Sequence, residues 1–266
     1  RACVPLDCVG EIYGQSFNFS RPRMRTRDGE KQIVRDSLGY PKYQNPFLNH
    51  IQVRIKVRDG RSVKLYPIGS DCRGAPTHEI DDLIYSIEVV GPSGIVFNLR
   101  DGLGGNLLAA HRFLSTQEMV FERLVVQSPP LLESPALPLY ETDKRELLIA
   151  ALQRSHQAGV AERYFLYRFC RTNNGTSSAF SLLDPVVEYP WSRKIGAGFY
   201  RLPINPRVYL RVRGMDPDST VRNSVRDEFA DFIKLPKTQA RKRAHVKELI
   251  AIKRAAKKAA SKDAAK

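Results

Sequence analysis

Between His50 and Arg58 apolar and polar residues alternate without a break. Ile51, Val53, Ile55 and Val57 fall on one side, and His50, Gln52, Arg54, Lys56 and Arg58 on the other. A period of two predicts a β-strand with one buried face. Asp59-Gly60 is a hairpin signal, and 62–66 alternates again as a return strand. A two-residue loop would set Ile55 against Lys64. A three-residue loop sets Val57 against Val63 and Ile55 against Leu65, which keeps one apolar face and is the expected register. Carried further, that register places His50 opposite Ser70, with Ile68 and Cys72 as diagonal neighbours.

Other stretches are legible to different degrees. Residues 85–90 and 95–99 read as strands around the Gly91-Pro-Ser-Gly94 turn, and the glycines of 101–105 as a flexible turn. Residues 107–114 and 117–126 fit helix or strand equally. The clearest helix is 142–157, with Leu147, Leu148, Ala151 and Leu152 as its stripe and Gly159 as its stop. An aromatic run from Tyr164 ends on Cys170. Thr172, Asn173, Thr176 and Ser177 are residue types that begin helices, so a helix is expected to open just after Cys170 and stop at Pro185. The proline-rich chain that follows reads as extended through 208–212. A helix over 216–233, a break at Pro236 and a last helix complete the pattern. Near the N-terminus, Arg21, Arg23, Arg25 and Arg27 alternate with other residues. A solvated loop or edge strand is the preferred reading there over an anion-binding edge.

Composition changes this picture in one place. The 266-residue chain is 42% hydrophobic and 27% charged, ordinary globular values, with a net charge of +15. Residues 237–266 hold eleven Lys and Arg against two acids, so +9 of that charge sits in the tail. Val246, Leu249 and Ile250 give the tail a thin apolar stripe, suited to an anionic membrane surface and less to nucleic acid, since it has no aromatic side chain. No run of eighteen apolar residues predicts a transmembrane segment. The cysteines are Cys3, Cys8, Cys72 and Cys170, without Cys-x-x-Cys or paired histidines, so neither metal nor cofactor is expected. A cysteine at a helix start ionises readily and makes a nucleophile; the plain alternative is a small buried side chain. His50, at a strand's start on its polar side, is a candidate base or a surface imidazole.

The order of these pieces resembles the permuted papain-like class, in which a strand histidine precedes a helix-terminal cysteine. More narrowly, residues 48–184 resemble a bacterial cell-envelope family that includes lipoprotein N-acyltransferases. The matching pieces are 49–54 (Asn-His-Ile-Gln-Val-Arg), Gly102-Leu-Gly-Gly105, Leu139-x-x-Thr142 with Leu147-Leu148, and Tyr164-x5-Cys170 followed by Leu182-Leu183. The resemblance implies an α+β fold with a permuted papain-like core over 41–214, an N-terminal extension at 1–40 and a basic helical tail at 215–266. It implies Cys170 as nucleophile, His50 as base and then acid, and an acyl group passed through a thioester to an amine or to water. The substrate would be an acylated lipid, lipoprotein or peptide, in the periplasm or cell envelope. Ser70 is the candidate orienter of His50, from the hairpin register. An extracytoplasmic setting and closeness in sequence also suggest a Cys3–Cys8 disulfide. The other reading is a catalytically inactive binding module that holds an anionic partner through its tail.

Overall fold

The computed structural model describes residues 1–37, 40–91, 99–158, 162–167, 172–199, 206–216 and 223–263. The fold is α+β. Its main sheet is antiparallel throughout, and four long strands lie side by side in the order Val9–Asn18, Asn49–Val57, Asp82–Val90 and Leu107–Ser115. The short strands Leu132–Glu133 and Asn223–Ser224 extend it beyond the first of these, and Arg163–Tyr164 beyond the last. The stretch expected as an N-terminal extension therefore supplies an inner strand.

The alternation over 50–57 is correct, but its expected partner is not. Both edges of the Asn49–Val57 strand are taken by the two long neighbours, with Phe17 opposite His50 and Ile84 opposite Arg54. Val63–Leu65 instead joins Ala2–Cys3 and His78–Ile80 in a separate three-stranded sheet. The reason lies on the strand's polar side, which does not face water. Gln52 and Arg54 are as buried as Ile55. Arg54 is held by Asp82, Glu133 and Glu228, and Gln15 bridges Gln52 to Glu133. A strand whose polar side chains find partners on distant segments is covered on both faces.

One face packs Ile12, Ile51, Val53 and Ile55 against Leu147, Leu148 and Ala151 of the Glu141–Ala158 helix and Phe180 and Leu183 of the Gly175–Val186 helix. A second apolar cluster, Phe17, Val120, Leu124, Leu131 and Val225 with Phe229, Phe232 and Ile233, covers the other. It draws on Thr116–Val120, the π-helix Phe121–Gln127 and the short helices Val225–Glu228 and Ala230–Lys234. The two ambiguous stretches thus resolve as strand (Leu107–Ser115) and helix.

Prolines and glycines account for the other departures. Trp191–Phe199 and Pro206–Val212 are helices where extended chain was expected. Pro206 stands at the first helical position, where its missing N–H costs nothing. Pro185 lies in the last turn of its helix rather than beyond it. The expected glycine turn at 101–105 falls in the Leu99–Gly104 helix, and Gly105, at φ +72°, follows its end. The expected strand at 95–99 lies outside the described residues except Leu99, and so does Gly159. The arginine-rich 24–27 segment forms an exposed hairpin with Glu30–Ile33.

The disulfide joins Cys3 to Cys72, with Cα atoms 6.4 Å apart, rather than Cys3 to Cys8. Pairing of Ala2–Cys3 with Val63–Leu65 carries Cys3 to the far side of that small sheet, whereas Cys8 is fully buried as a free thiol. Its burial, with Asp7 beside it, pushes that thiol up. Among the described residues no helix is long and apolar enough to cross a membrane.

Candidate functional site

The residue before His50 is fixed by three hydrogen bonds. The Asn49 side chain donates to Pro46 O and accepts from Asn18 Nδ2, and the Asn49 carbonyl accepts from Thr176 Oγ1. The imidazole is 3% exposed, with the Phe17 ring centre 4.9 Å away and that of Phe19 at 5.6 Å. Nε2 lies 3.0 Å from Ser86 Oγ, and Ser86 Oγ donates to Glu88 Oε1 at 2.8 Å. Glu88 also takes the Arg123 guanidinium, which lies over Phe17.

This chain of bonds assigns the imidazole's proton. Burial alone would raise Glu88, but His50, Arg123 and the bonds from Arg123 and Ser86 outweigh it and hold the carboxyl at about 2. An ionised carboxylate only accepts, so the single Ser86 hydroxyl proton goes to Glu88 and Ser86 must accept from His50 Nε2–H. Burial pushes His50 down to about 4, against the pull of Glu88 and with the help of Arg123. The imidazole is therefore neutral at pH 7, with its lone pair on Nδ1.

Nδ1 looks at a helix start. A Cβ built at Gly175 would lie 2.4 Å from both Nδ1 and Cε1 of His50. Gly175 has no positive φ, so what requires a glycine there is space and not backbone conformation. Asn174 caps the helix. Its Oδ1 accepts from Thr176 N and Ser177 N at 2.9 Å each, and Ser177 Oγ accepts from Asn174 N. This is a complete capping box. Ser178 N donates to Asn174 O, and the Gly175 N–H donates to the Tyr164 hydroxyl. Burial raises Tyr164 far above its ordinary value, so it stays protonated. Every amide of the first helical turn has a partner, and none is left to receive a developing oxyanion.

The expected site residues are thus distributed as follows. The His50 ring lies beside a helix N-terminus. That helix opens at Gly175, five positions past Cys170, and Cys170 itself lies outside the described residues. Ser70 is remote, because the hairpin that would have brought it to His50 does not form. It sits in a turn of the small sheet's loop, its Oγ accepting from Cys72 N. The hydroxyl that orients His50 is Ser86, on the neighbouring strand. A strand was expected over 85–90, but nothing local marks Ser86, diagonal to His50 across the strand pair, as its partner.

No family model, no curated protein and no solved structure matches this chain.

A second polar chain was missed entirely. Tyr85 Oη lies 2.8 Å from His111 Nδ1, and His111 Nε2 2.7 Å from Glu162 Oε2. Glu162 Oε1 also accepts from Arg154 and Asn173. Burial opposes ionisation of Glu162, but the bonds from His111, Asn173 and Arg154 hold it below the usual range. The cluster ties the Asp82–Val90 and Leu107–Ser115 strands to residues 162 and 173, on either side of Cys170 in sequence. Among the described residues no three His, Cys, Asp or Glu side chains form a metal-binding group. A cleft of about 470 Å³ borders Asn49 and Phe17, while a larger cavity, about 1120 Å³, contains none of these residues.

Proposed function

We propose that this protein is a binding module built on a permuted papain-like, Cys–His frame, without acyl-transfer activity of its own. The observation that carries it is the contact between His50 and Gly175. A histidine oriented by a hydroxyl and a carboxylate meets a helix N-terminus, the arrangement that activates a thiol elsewhere. Here the facing residue has no side chain, and the imidazole fills the space one would need. The family that the chain resembles usually has an asparagine before its cysteine, where this chain has Phe169 before Cys170. Here Asn174, the helix cap, directly precedes Gly175. A buried imidazole with a pKa of about 4 is a weak base at neutral pH, and the first-turn amides are spent.

The partner is an anionic membrane surface of the cell envelope, taken by the Pro236–Asp263 helix. Its first turns pack on the body: Thr238 is buried, and Arg241 pairs with Glu118 and stacks on Phe121. From Val246 onward the described side chains are exposed. Val246, Leu249 and Ile250 make one apolar stripe beside Arg243, Lys247 and Arg254. An apolar stripe flanked by cations suits the headgroup boundary of a bilayer better than a phosphate backbone.

The test is co-sedimentation with vesicles containing phosphatidylglycerol, beside phosphatidylcholine vesicles and duplex DNA, at low and high salt. Salt-sensitive binding to the anionic vesicles alone is expected. Equal binding to DNA would move the partner to nucleic acid. Acyl transfer through Cys170 and His50 is the competing function; a low thiol pKa at Cys170 that depends on His50 would restore it.

A further inference from the structure

A cavity of about 1120 Å³ contains no residue of the His50 site and does not depend on the reading above; it shares with that reading only Glu118, the partner of Arg241. It lies between the small disulfide-tied sheet and the body. Leu65 and Ile80 form one wall, and Phe113 and Leu152 the opposite one, with Val57 between them. All five are half-buried rather than sealed in the core. At about 1120 Å³ the space is at the upper end for a small-molecule site, and apolar walls with a polar mouth are the usual form of one. Cys3–Cys72 fastens the outer wall, so the space is not a loose gap between separate elements.

The mouth has its own chemistry. In a chain with a net charge of +15, five carboxylates line it beside three cations; Asp82 is held by Arg54 and Glu118 by Arg241, so Asp59, Glu79 and Asp81 make the acidic rim. The cations are all engaged: Arg58 with Glu141, Arg61 with Asp7, and Lys56 with Glu228. Asp59 and Asp81 are exposed, and among the described residues neither makes an ion pair. The apolar walls select a hydrocarbon chain, and the acidic rim selects a positive head over a negative one.

We infer that this cavity is a binding site for a cationic amphiphile, an alkyl chain carrying an amine or quaternary ammonium head. The chain lies between Leu65 and Leu152, and the head rests at Asp59 and Asp81. Binding is non-covalent and needs no residue of the His50 site.

The test is titration calorimetry of the full chain with dodecyltrimethylammonium, laurate and dodecyl maltoside, each below its micelle concentration. Saturable binding of the ammonium, at least tenfold tighter than laurate, is expected. Leu152→Trp, which fills the space, should weaken it at least tenfold. Leu65→Gln, on the other wall, should do the same if Leu152→Trp does not fold. Asp59→Asn with Asp81→Asn should reduce the preference for ammonium over maltoside several-fold. No saturable binding of the ammonium, or binding unchanged in folded Leu152→Trp or Leu65→Gln, would overturn the site. Laurate binding as tightly as the ammonium would overturn its head-group assignment.

Discussion

A methyl group at Gly175 would meet the His50 ring at 2.4 Å, well inside van der Waals contact, so Gly175→Ala forces the ring or the helix to move. Overpacking of this kind costs about 1–3 kcal/mol, although alanine is otherwise the better helix former. Urea unfolding of Gly175→Ala should show that loss, and the loss should vanish when His50→Ala is added. Equal loss in both backgrounds would mean that the two residues do not touch. His50 also sets a pH dependence. Its folded pKa of about 4 lies below the ordinary value of 6.5, so between those pH values the unfolded chain binds a proton that the folded chain refuses. Stability is therefore full above about pH 6.5 and falls as the pH drops towards 4, by a few kcal/mol for a shift of this size. Glu88, held at about 2, adds its own loss from about pH 4.5 downward. Thermal melts from pH 7.5 to 4 should show an early decline that His50→Gln flattens; an unchanged slope in His50→Gln would assign the decline to other groups. Of this site the sequence showed His50 itself and the helix-starting residues around Asn174. It did not show Ser86 as partner, because that depends on which strand lies alongside.

Local periodicity carries an element's type better than its neighbours. The Asn49–Val57 strand and the Glu141–Ala158 helix are close to where their patterns put them. Pairing is different. Arg54 is satisfied by carboxylates 28, 79 and 174 positions away in sequence, and no window of residues contains that information. Prolines misled for a related reason, since one that opens a helix and one that prevents it look alike until the following turn is seen. Two predictions belong to single elements. The Cys3–Cys72 bond spans 69 residues, a long loop whose closure is worth about 2–4 kcal/mol. Cys3→Ala with Cys72→Ala should lower the urea midpoint accordingly, and an unchanged midpoint would show that the small sheet holds without it. The C-terminal helix packs on the body at its start, and its described side chains are exposed from Val246 onward. Truncation after Glu248 keeps Thr238, Arg241 and His245 on the body and should leave the melting temperature unchanged while abolishing vesicle binding. Truncation after Lys234 also removes the Arg241–Glu118 pair and the Phe121 stack, worth about 1 kcal/mol at this exposure. Equal melting temperatures for the two truncations would mean that the packed turns contribute nothing.

The whole molecule combines a body of modest charge with one cationic helix. Nine of its fifteen net positive charges lie beyond residue 236, so attachment to an anionic surface should be strong at low salt and screened at high salt. The body sets a hydroxyl-bonded, buried histidine against a capped helix start, and the residue that its ring meets there is a glycine. Whether that histidine serves any thiol is the question on which the functional account rests. The direct measurement is the alkylation rate of Cys170 against pH, followed by peptide mass mapping, in the unaltered chain and in His50→Gln. Cys8 is buried and Cys3 and Cys72 are joined, so the readout belongs to Cys170. The account predicts an ordinary thiol, with an apparent pKa of about 8.5 or above, the same in both proteins. An apparent pKa below about 7 that rises in His50→Gln would contradict it, and would mean that Cys170 and His50 work as a catalytic pair.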